Sequence, residues 1–279
     1  MAPVGWAAGL SVLSAAAYAA AAVAQERLAG HRHRGWSRWA AALLLTGAGV
    51  ALHVLALNFG TVAVVQALGT LTLLFALPIQ VVRYHRRVSA AAWRDAALTV
   101  AGLALILSLS TQPDGPALLT GRSVRVLSSI TTGVVLLCAL AAWRAGARIR
   151  AVLLAVASGV AFGIASVLSK AVLAAITSGR PGRESIMAGA MVVAFAAAGY
   201  LFGQLSYRGA GLAAPLATVS VTNPLVAAVA GVVVFGEGVR FGTGGLVAAA
   251  VAVLVMGAGV VGLARRSETR TREPAAAAR

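Results

Sequence analysis

The chain is dominated by long apolar runs that short clusters of charged or turn-forming residues interrupt. A helix needs about 20 apolar residues to cross about 30 Å of hydrocarbon. Nine runs reach or nearly reach this length, at residues 5–25, 38–58, 61–82, 92–111, 124–143, 151–175, 186–206, 212–235 and 242–263. The pattern predicts an all-α, polytopic membrane protein with about nine transmembrane helices, numbered here as spans 1 to 9.

Composition points the same way. The 279 residues are 60% hydrophobic and only 11% charged, whereas soluble domains have about 45–50% apolar and 25% charged residues. The single cysteine, Cys138, lies within an apolar run, so a disulfide-rich scaffold is excluded. The net charge of +16 does not predict a nucleic-acid partner, because the basic residues lie between apolar runs, as in membrane proteins.

The distribution of basic residues predicts the orientation. If the N-terminus is outside, 17 of the 23 lysines and arginines fall on the cytoplasmic side, five fall outside, and Lys170 lies within span 6. Cytoplasmic loops carry the excess of positive charge, so we expect a protein of the cytoplasmic (inner) membrane with its N-terminus outside and its C-terminus inside. Residues 265–279 are polar and alanine-rich, and are predicted to form a disordered cytoplasmic tail.

The two parts of the chain resemble each other. Residues 14–23 align without a gap with residues 158–167, and this alignment pairs Tyr18 with Phe162 and Glu26 with Lys170. Residues 60–68 similarly resemble residues 209–216. Spans 1–4 then correspond to spans 6–9. The predicted units are a first repeat at 1–111, a linking helix at 112–150 and a second repeat at 151–264.

The nine-span orientation makes these two four-helix repeats inverted. Span 1 runs from outside to inside, and span 6 runs the opposite way. Inverted repeats recur in secondary transporters, whose substrate site lies near the midplane between the halves. Two similar halves of opposite orientation can exchange conformations, which opens the site alternately to each face of the membrane.

Three segments carry a family resemblance. They are Leu13–Tyr18 with Val23–Arg27, Ala56–Thr61 with Val65–Gly69, and Ala214–Leu225 with Phe235–Glu237. Over spans 1–4 and 6–9 the chain resembles the drug/metabolite transporter superfamily, EamA-like families. The resemblance implies a secondary transporter that moves, by export, a small organic metabolite or drug through alternating access, with no cofactor.

Two alternatives stay open. Nine helices with an external N-terminus also resemble the NIPA branch of magnesium transporters, which implies a divalent-cation (Mg²⁺) transporter. That branch is similar in helix number but has a glutamate where this chain has Val50 and an asparagine where it has His53. The other alternative is a non-transporting membrane scaffold, which a dry, closed core between the halves would favour.

No catalytic constellation accompanies these spans. His31, His33 and His85 lie beside arginines, without cysteine or carboxylate partners at metal-binding spacing. We therefore predict neither an enzyme nor a metal site. The expected partners are a small-molecule substrate and the lipid bilayer, and a homodimer is one arrangement that the sequence allows.

Polar side chains inside spans are costly unless they face the bundle interior, so each is a candidate site residue. The predicted substrate-binding residues are Tyr18, Asn58, Gln66, Lys170, Gln204 and Asn223, and the predicted coupling residues are His53 and Glu26. Each also has a structural interpretation. Lys170 can extend to the outer interface, Glu26 can be a solvated interface residue, and the amides can join neighbouring helices by hydrogen bonds.

Overall fold

The computed structural model of the chain describes residues 2–29, 36–59, 62–69, 71–84, 88–111, 118–208, 213–235 and 238–276. Within these ranges almost all of the backbone is helical, and two strands of two residues each pair with one another. The elements in chain order are α1 (Ala2–Ala29), α2 (Trp36–Phe59), α3 (Val62–Gly69), α4 (Leu71–Tyr84), α5 (Ala90–Leu109), β1 (Ser110–Thr111), α6 (Gly121–Arg144), α7 (Ala147–Thr177), α8 (Arg183–Ser206), α9 (Ala213–Phe235), β2 (Gly238–Val239) and α10 (Gly242–Ala276).

Each of the nine predicted spans lies on a helix or a helix pair. Among the described residues, seven helices are long and apolar enough to cross a membrane: α1, α2, α6, α7, α8, α9 and α10. This is the architecture of a multi-pass helical membrane protein, which confirms the predicted fold class at that level. Span 3 corresponds to the pair α3 and α4, and span 4 corresponds to α5.

The described residues of span 3 lie on α3 and α4, and Thr70 between them lies outside the described residues. The hydroxyl of Thr72 donates a hydrogen bond of 2.6 Å to the carbonyl oxygen of Gly69, the last residue of α3. Within α4, Pro78 lacks the backbone donor that a regular helix would use.

The C-terminal segment differs from its prediction. We expected disorder from residue 265, but α10 continues as a helix to Ala276. Alanine, arginine and glutamate, which make up most of this segment, are all strong helix formers. Their propensity lets the helix of span 9 continue beyond the apolar run. Residues 277–279 lie outside the described residues.

The helix α7 lies at the centre of the bundle. Of its most apolar 18-residue window, 72% is buried, against 22% for α6 and α8. Small residues allow this close packing. A Cβ atom placed on Gly163 would lie 2.6 Å from the carbonyl oxygen of Asn223 on α9, so the two backbones are nearly in contact. Most of the large apolar side chains of α6, among them Ile130, Leu137 and Trp143, are instead exposed, as expected of a lipid-facing surface.

Aligned residues of the two predicted repeats make the same contact. Ser14 donates a hydrogen bond of 2.8 Å from its hydroxyl to the carbonyl oxygen of Gly49, and Ser158 donates one of 2.7 Å to that of Gly199. The ring of Tyr18 packs on Gly49, just as the ring of Phe162 packs on Gly199. The pair α1 and α2 thus reproduces the packing of α7 and α8.

The helices α5 and α10 pack antiparallel along their length. Gly262 and Gly259 of α10 face Asp95 and Thr99 near the start of α5, and further along Gly102 of α5 faces Ala252 and Met256. At the other end, β1 pairs with β2, and the backbone N–H of Arg240 donates a hydrogen bond of 2.7 Å to Leu109. The contact therefore runs from one end of α5 to the other.

Candidate functional site

A cavity of about 230 Å³ lies between helices α1–α4 of the first predicted repeat and helices α7–α9 of the second. Described side chains or backbone from α1, α2, α3, α4, α7, α8 and α9 line it. Both predicted repeats therefore contribute to one cavity. No residue of α6, the predicted linking helix, is part of the described lining. Pockets for drug-sized ligands enclose roughly 300–1,000 Å³, so this volume suits a smaller molecule.

Five of the eight predicted site residues lie together in this lining: Tyr18, His53, Gln66, Gln204 and Asn223. Lys170 is described but is not part of the lining. Glu26 and Asn58 lie on α1 and α2, and their side chains are outside the described residues. The prediction of substrate contact is therefore unsupported for Lys170, while the two other positions stay predictions.

Lys170 lies beside the residues of α7 that line the cavity. Tyr18, Ala22 and Gln25 line the cavity at intervals of four and three residues, which place them on one face of α1. Their aligned residues Phe162, Ser166 and Ser169 line it from α7. Lys170 follows Ser169 by one residue, and one residue turns a helix by about 100°. Gln25 and Ser169 are thus an aligned pair of which both members line the cavity.

The second helix of each half shows the same correspondence. When Gly49 is matched with Gly199, Thr46, Val50, His53 and Val54 on α2 match Ala196, Tyr200, Gly203 and Gln204 on α8. All eight of these residues line the cavity. The lining is thus built from equivalent positions, but its chemistry differs between the halves, because His53 corresponds to Gly203 and Gln204 corresponds to Val54.

A chain of hydrogen bonds crosses one end of the cavity. Gln204 on α8 donates from Nε2 to Oε1 of Gln25 on α1 at 2.7 Å, and Gln25 donates from Nε2 to the hydroxyl of Thr46 on α2 at 2.7 Å. The Thr46 hydroxyl donates in turn to the carbonyl oxygen of Ala42 at 2.9 Å. This chain joins α8 of the second repeat to α1 and α2 of the first.

Five buried polar atoms in the lining have no hydrogen-bond partner within the described structure. They are His53 Nε2, Gln66 Nε2, Tyr200 OH, Gln204 Oε1 and Asn223 Oδ1. Gln66 is only 3% exposed, so its amide is withdrawn from solvent. Buried polar groups are normally paired because an unpaired one costs about 1–3 kcal/mol. The concentration of five in one cavity indicates that a polar molecule, water or a ligand, pairs with them.

The described lining carries amides, hydroxyls, one imidazole and aromatic rings, but no Asp, Glu, Lys or Arg. Nor do the described residues contain a group of three or more His, Cys, Asp or Glu side chains that could hold a metal ion. The aromatic rings belong to Tyr18, Phe162, Tyr200 and Tyr207. Chemically, the cavity can exchange hydrogen bonds and pack against an apolar or aromatic surface.

Sequence reasoning missed several polar lining residues, among them Gln25, Thr46 and Ser169. The sequence analysis instead predicted Glu26 and Lys170, the charged neighbours of Gln25 and Ser169, as site residues. The signal that would have found Gln25 is the helical period, since it lies seven residues after Tyr18 and therefore on the same face. The alignment of the repeats then leads from Gln25 to Ser169.

Comparison of the chain with protein-family models, with curated proteins and with solved structures found no match.

Proposed function

We propose that the protein is a secondary transporter that moves a small organic molecule across the cytoplasmic membrane by alternating access, in the direction of export. The observation that carries the proposal is the shared cavity. Two sets of helices with equivalent contacts line it from equivalent positions, and five of its buried polar atoms lack partners. Midplane cavities between repeats are typical of such transporters. The export direction rests on the resemblance to drug/metabolite transporters.

The orientation of the helices supports two inverted repeats. The hydrogen bond between Gln25 and Gln204 joins the C-terminal ends of α1 and α8. Because both helices are candidate spans of one membrane, their ends lie at the same face and the two run in the same direction. The helix α9 lies between α8 and α10 in the chain, so α10 runs in that direction as well.

The packing of α5 supports the predicted number of nine membrane spans. It runs antiparallel to α10 along its length, hence opposite to α1 and in the same direction as α2. A chain that leaves α2 and enters α5 in the same direction has to cross the membrane once between them. The pair α3 and α4 makes that crossing, which gives nine spans. In this arrangement α1 and α7 run in opposite directions, as inverted repeats require.

The two alternatives receive less support. A scaffold has no need of a cavity lined by unpaired polar atoms, and a dry core was its expected sign. Mg²⁺ prefers carboxylate oxygens and retained waters, and the described lining contains no carboxylate. The cavity therefore favours an organic molecule over a divalent cation.

His53 is the proposed proton-coupling residue. Its imidazole lies in the cavity lining with Nε2 buried and without a partner, and histidine is the side chain whose charge most readily changes between pH 5 and 8. We expect His53→Gln to abolish uptake driven by a pH gradient while exchange of substrate across the membrane continues. Equal loss of both activities would contradict a coupling role and leave His53 as a binding or packing residue.

The test of transport uses everted membrane vesicles, in which an exporter accumulates its substrate. Vesicles that contain the protein are energised in a cytoplasmic metabolite extract, and the compounds they retain are identified by mass spectrometry. We expect at least one organic compound to accumulate. Ala196→Phe should prevent this accumulation by filling the cavity that Ala196 lines, whereas Ala197→Phe, at the exposed neighbouring position, should not.

Identical compound profiles with and without the protein would refute organic transport. A second measurement follows Mg²⁺ entry into proteoliposomes with a trapped indicator. Saturable entry that Ala196→Phe blocks and Ala197→Phe spares would replace the proposal by a NIPA-like function.

A further inference from the structure

The cavity described above also restricts the class of molecule that it can bind. Its described lining contains no acidic side chain, lysine or arginine. Taking an ion out of water without a counter-charge costs far more than taking out a neutral polar group. A molecule with a net charge would therefore find no compensating partner among these residues, apart from a charged form of His53.

The hydrogen-bond chain determines which polar atoms stay available. The Thr46 hydroxyl uses its proton on Ala42 and so accepts from Gln25 Nε2, which leaves Gln25 Oε1 to accept from Gln204 Nε2. An amide has its donors on nitrogen and its acceptor on oxygen. The end of the chain therefore leaves Gln204 Oε1 as a buried acceptor without a partner.

The other unpaired atoms complete a mixed set. Asn223 Oδ1 is a second acceptor and Gln66 Nε2 is a donor, while the Tyr200 hydroxyl and Nε2 of a neutral His53 can each act as either. Two acceptors and one donor are the complement of a carboxamide edge, which offers two N–H protons beside one carbonyl oxygen. The rings of Tyr18, Phe162 and Tyr207 add apolar, aromatic surface to the same cavity.

We propose that the cavity binds an uncharged molecule with a carboxamide-type edge and an aromatic or apolar body. The inference rests on the proposed function in that it takes this cavity as the substrate site. Gln204, Asn223 and Gln66 pair with the amide edge, and the aromatic rings pack against the body. A carboxylic acid or an amine of the same shape is rejected while His53 is neutral, because the described lining then holds no group that balances either charge.

The experiment compares three compounds that share one ring system. Indole-3-acetamide is uncharged, indole-3-acetate is an anion, and tryptamine is a cation at neutral pH. Their binding to the purified full chain in lipid nanodiscs is measured by calorimetry, together with the smaller series phenylacetamide, phenylacetate and phenethylamine. We expect an amide to bind at least about tenfold more tightly than its acid and its amine.

Two variants locate the binding. Asn223→Leu and Gln66→Met keep side-chain volume and remove the hydrogen-bonding atoms, and each should weaken amide binding about tenfold. The matched control is Ser128→Ala, which removes a buried, unpaired hydroxyl of α6 outside the cavity lining and should leave affinity unchanged. If one cavity variant fails to fold, the other still provides the test.

The outcomes separate this inference from transport. Equal or tighter binding of an acid or an amine, or no binding of either amide, overturns the inference. Unchanged amide affinity in both cavity variants also overturns it. Amide binding that follows the expected pattern, in a protein that accumulates nothing in vesicles, upholds the ligand class and refutes transport. Accumulation of a charged compound in the vesicles upholds transport and overturns the ligand class.

Discussion

At the scale of residues, the neighbours Ser169 and Lys170 of α7 differ in their relation to the cavity. Ser169 lines the cavity, and Lys170, the next residue of α7, is not part of the described lining. A side chain that adds bulk at the first position enters the cavity, whereas a change at the second leaves it intact. These two positions therefore offer a sharp comparison.

We expect Ser169→Leu to reduce the accumulation of substrate in everted vesicles at least about tenfold, because its larger side chain occupies cavity volume. Lys170→Ala should keep most of the activity. Both variants are compared at equal protein content in the membrane. Loss of activity in Lys170→Ala with normal activity in Ser169→Leu would restore Lys170 to the site and contradict the assignment by helical face.

Two serines test the equivalence of the halves. Ser14→Ala and Ser158→Ala each remove one hydrogen bond to a glycine carbonyl on the adjacent helix. Such interhelical bonds in membrane proteins contribute about 0.6 kcal/mol on average. We expect similar losses of unfolding free energy in the two variants, measured by SDS titration in mixed micelles. Ser129→Ala, at an exposed position of α6, is the control and should change stability little.

At the scale of elements, glycines allow α5 and α10 to approach each other closely. A Cβ atom on Gly259 would collide with the backbone and hydroxyl of α5 residues Asp95 and Thr99, whereas one on Gly257 would meet nothing within 4 Å. The two glycines lie two residues apart on the same helix. Their substitution thus separates packing from helix propensity.

We expect Gly259→Ala to destabilise the fold by about 1–3 kcal/mol, the usual cost of overpacking. Gly257→Ala should be neutral, or stabilising by up to about 1 kcal/mol through helix propensity. The measurement is the same SDS titration. Equal effects of the two substitutions would mean that the helices do not approach at Gly259.

At the scale of the whole molecule, the location of one short segment decides the number of spans. Ser89 lies between α4 and α5 and is exposed. With nine spans it lies in the cytoplasm. If α3, α4 and α5 did not cross, the same segment would lie on the side where α2 ends, which is outside.

The test is cysteine labelling with a reagent that does not cross membranes, on a Cys138→Ala background free of other cysteines. Ser89→Cys should react in everted vesicles and not in intact cells. The exposed residues Ser37 and Ser178 supply the controls, since Ser37→Cys should label only from the cytoplasmic side and Ser178→Cys only from outside. Labelling of Ser89→Cys from outside would reject the nine-span arrangement.

The apolar pattern was sufficient to predict the helices, because each membrane-crossing segment has to satisfy its own backbone hydrogen bonds. That requirement acts locally, so all nine predicted spans coincide with helices or a helix pair. One local detail was not predicted. The continuation of α10 to Ala276 depends on helix propensity rather than on hydropathy.

The sequence by itself determined the membrane class, the approximate helix positions and the resemblance between residues 14–23 and 158–167, since all three depend on local order along the chain. Only the tertiary structure brought Gln25, Thr46 and Gln204 into one hydrogen-bond chain and gathered five unpaired polar atoms into one cavity. The physical reason is that the direction in which a helical side chain points follows from packing between helices distant in sequence. Lys170 was predicted as a site residue because it is charged. In the tertiary structure its neighbour Ser169 lines the cavity.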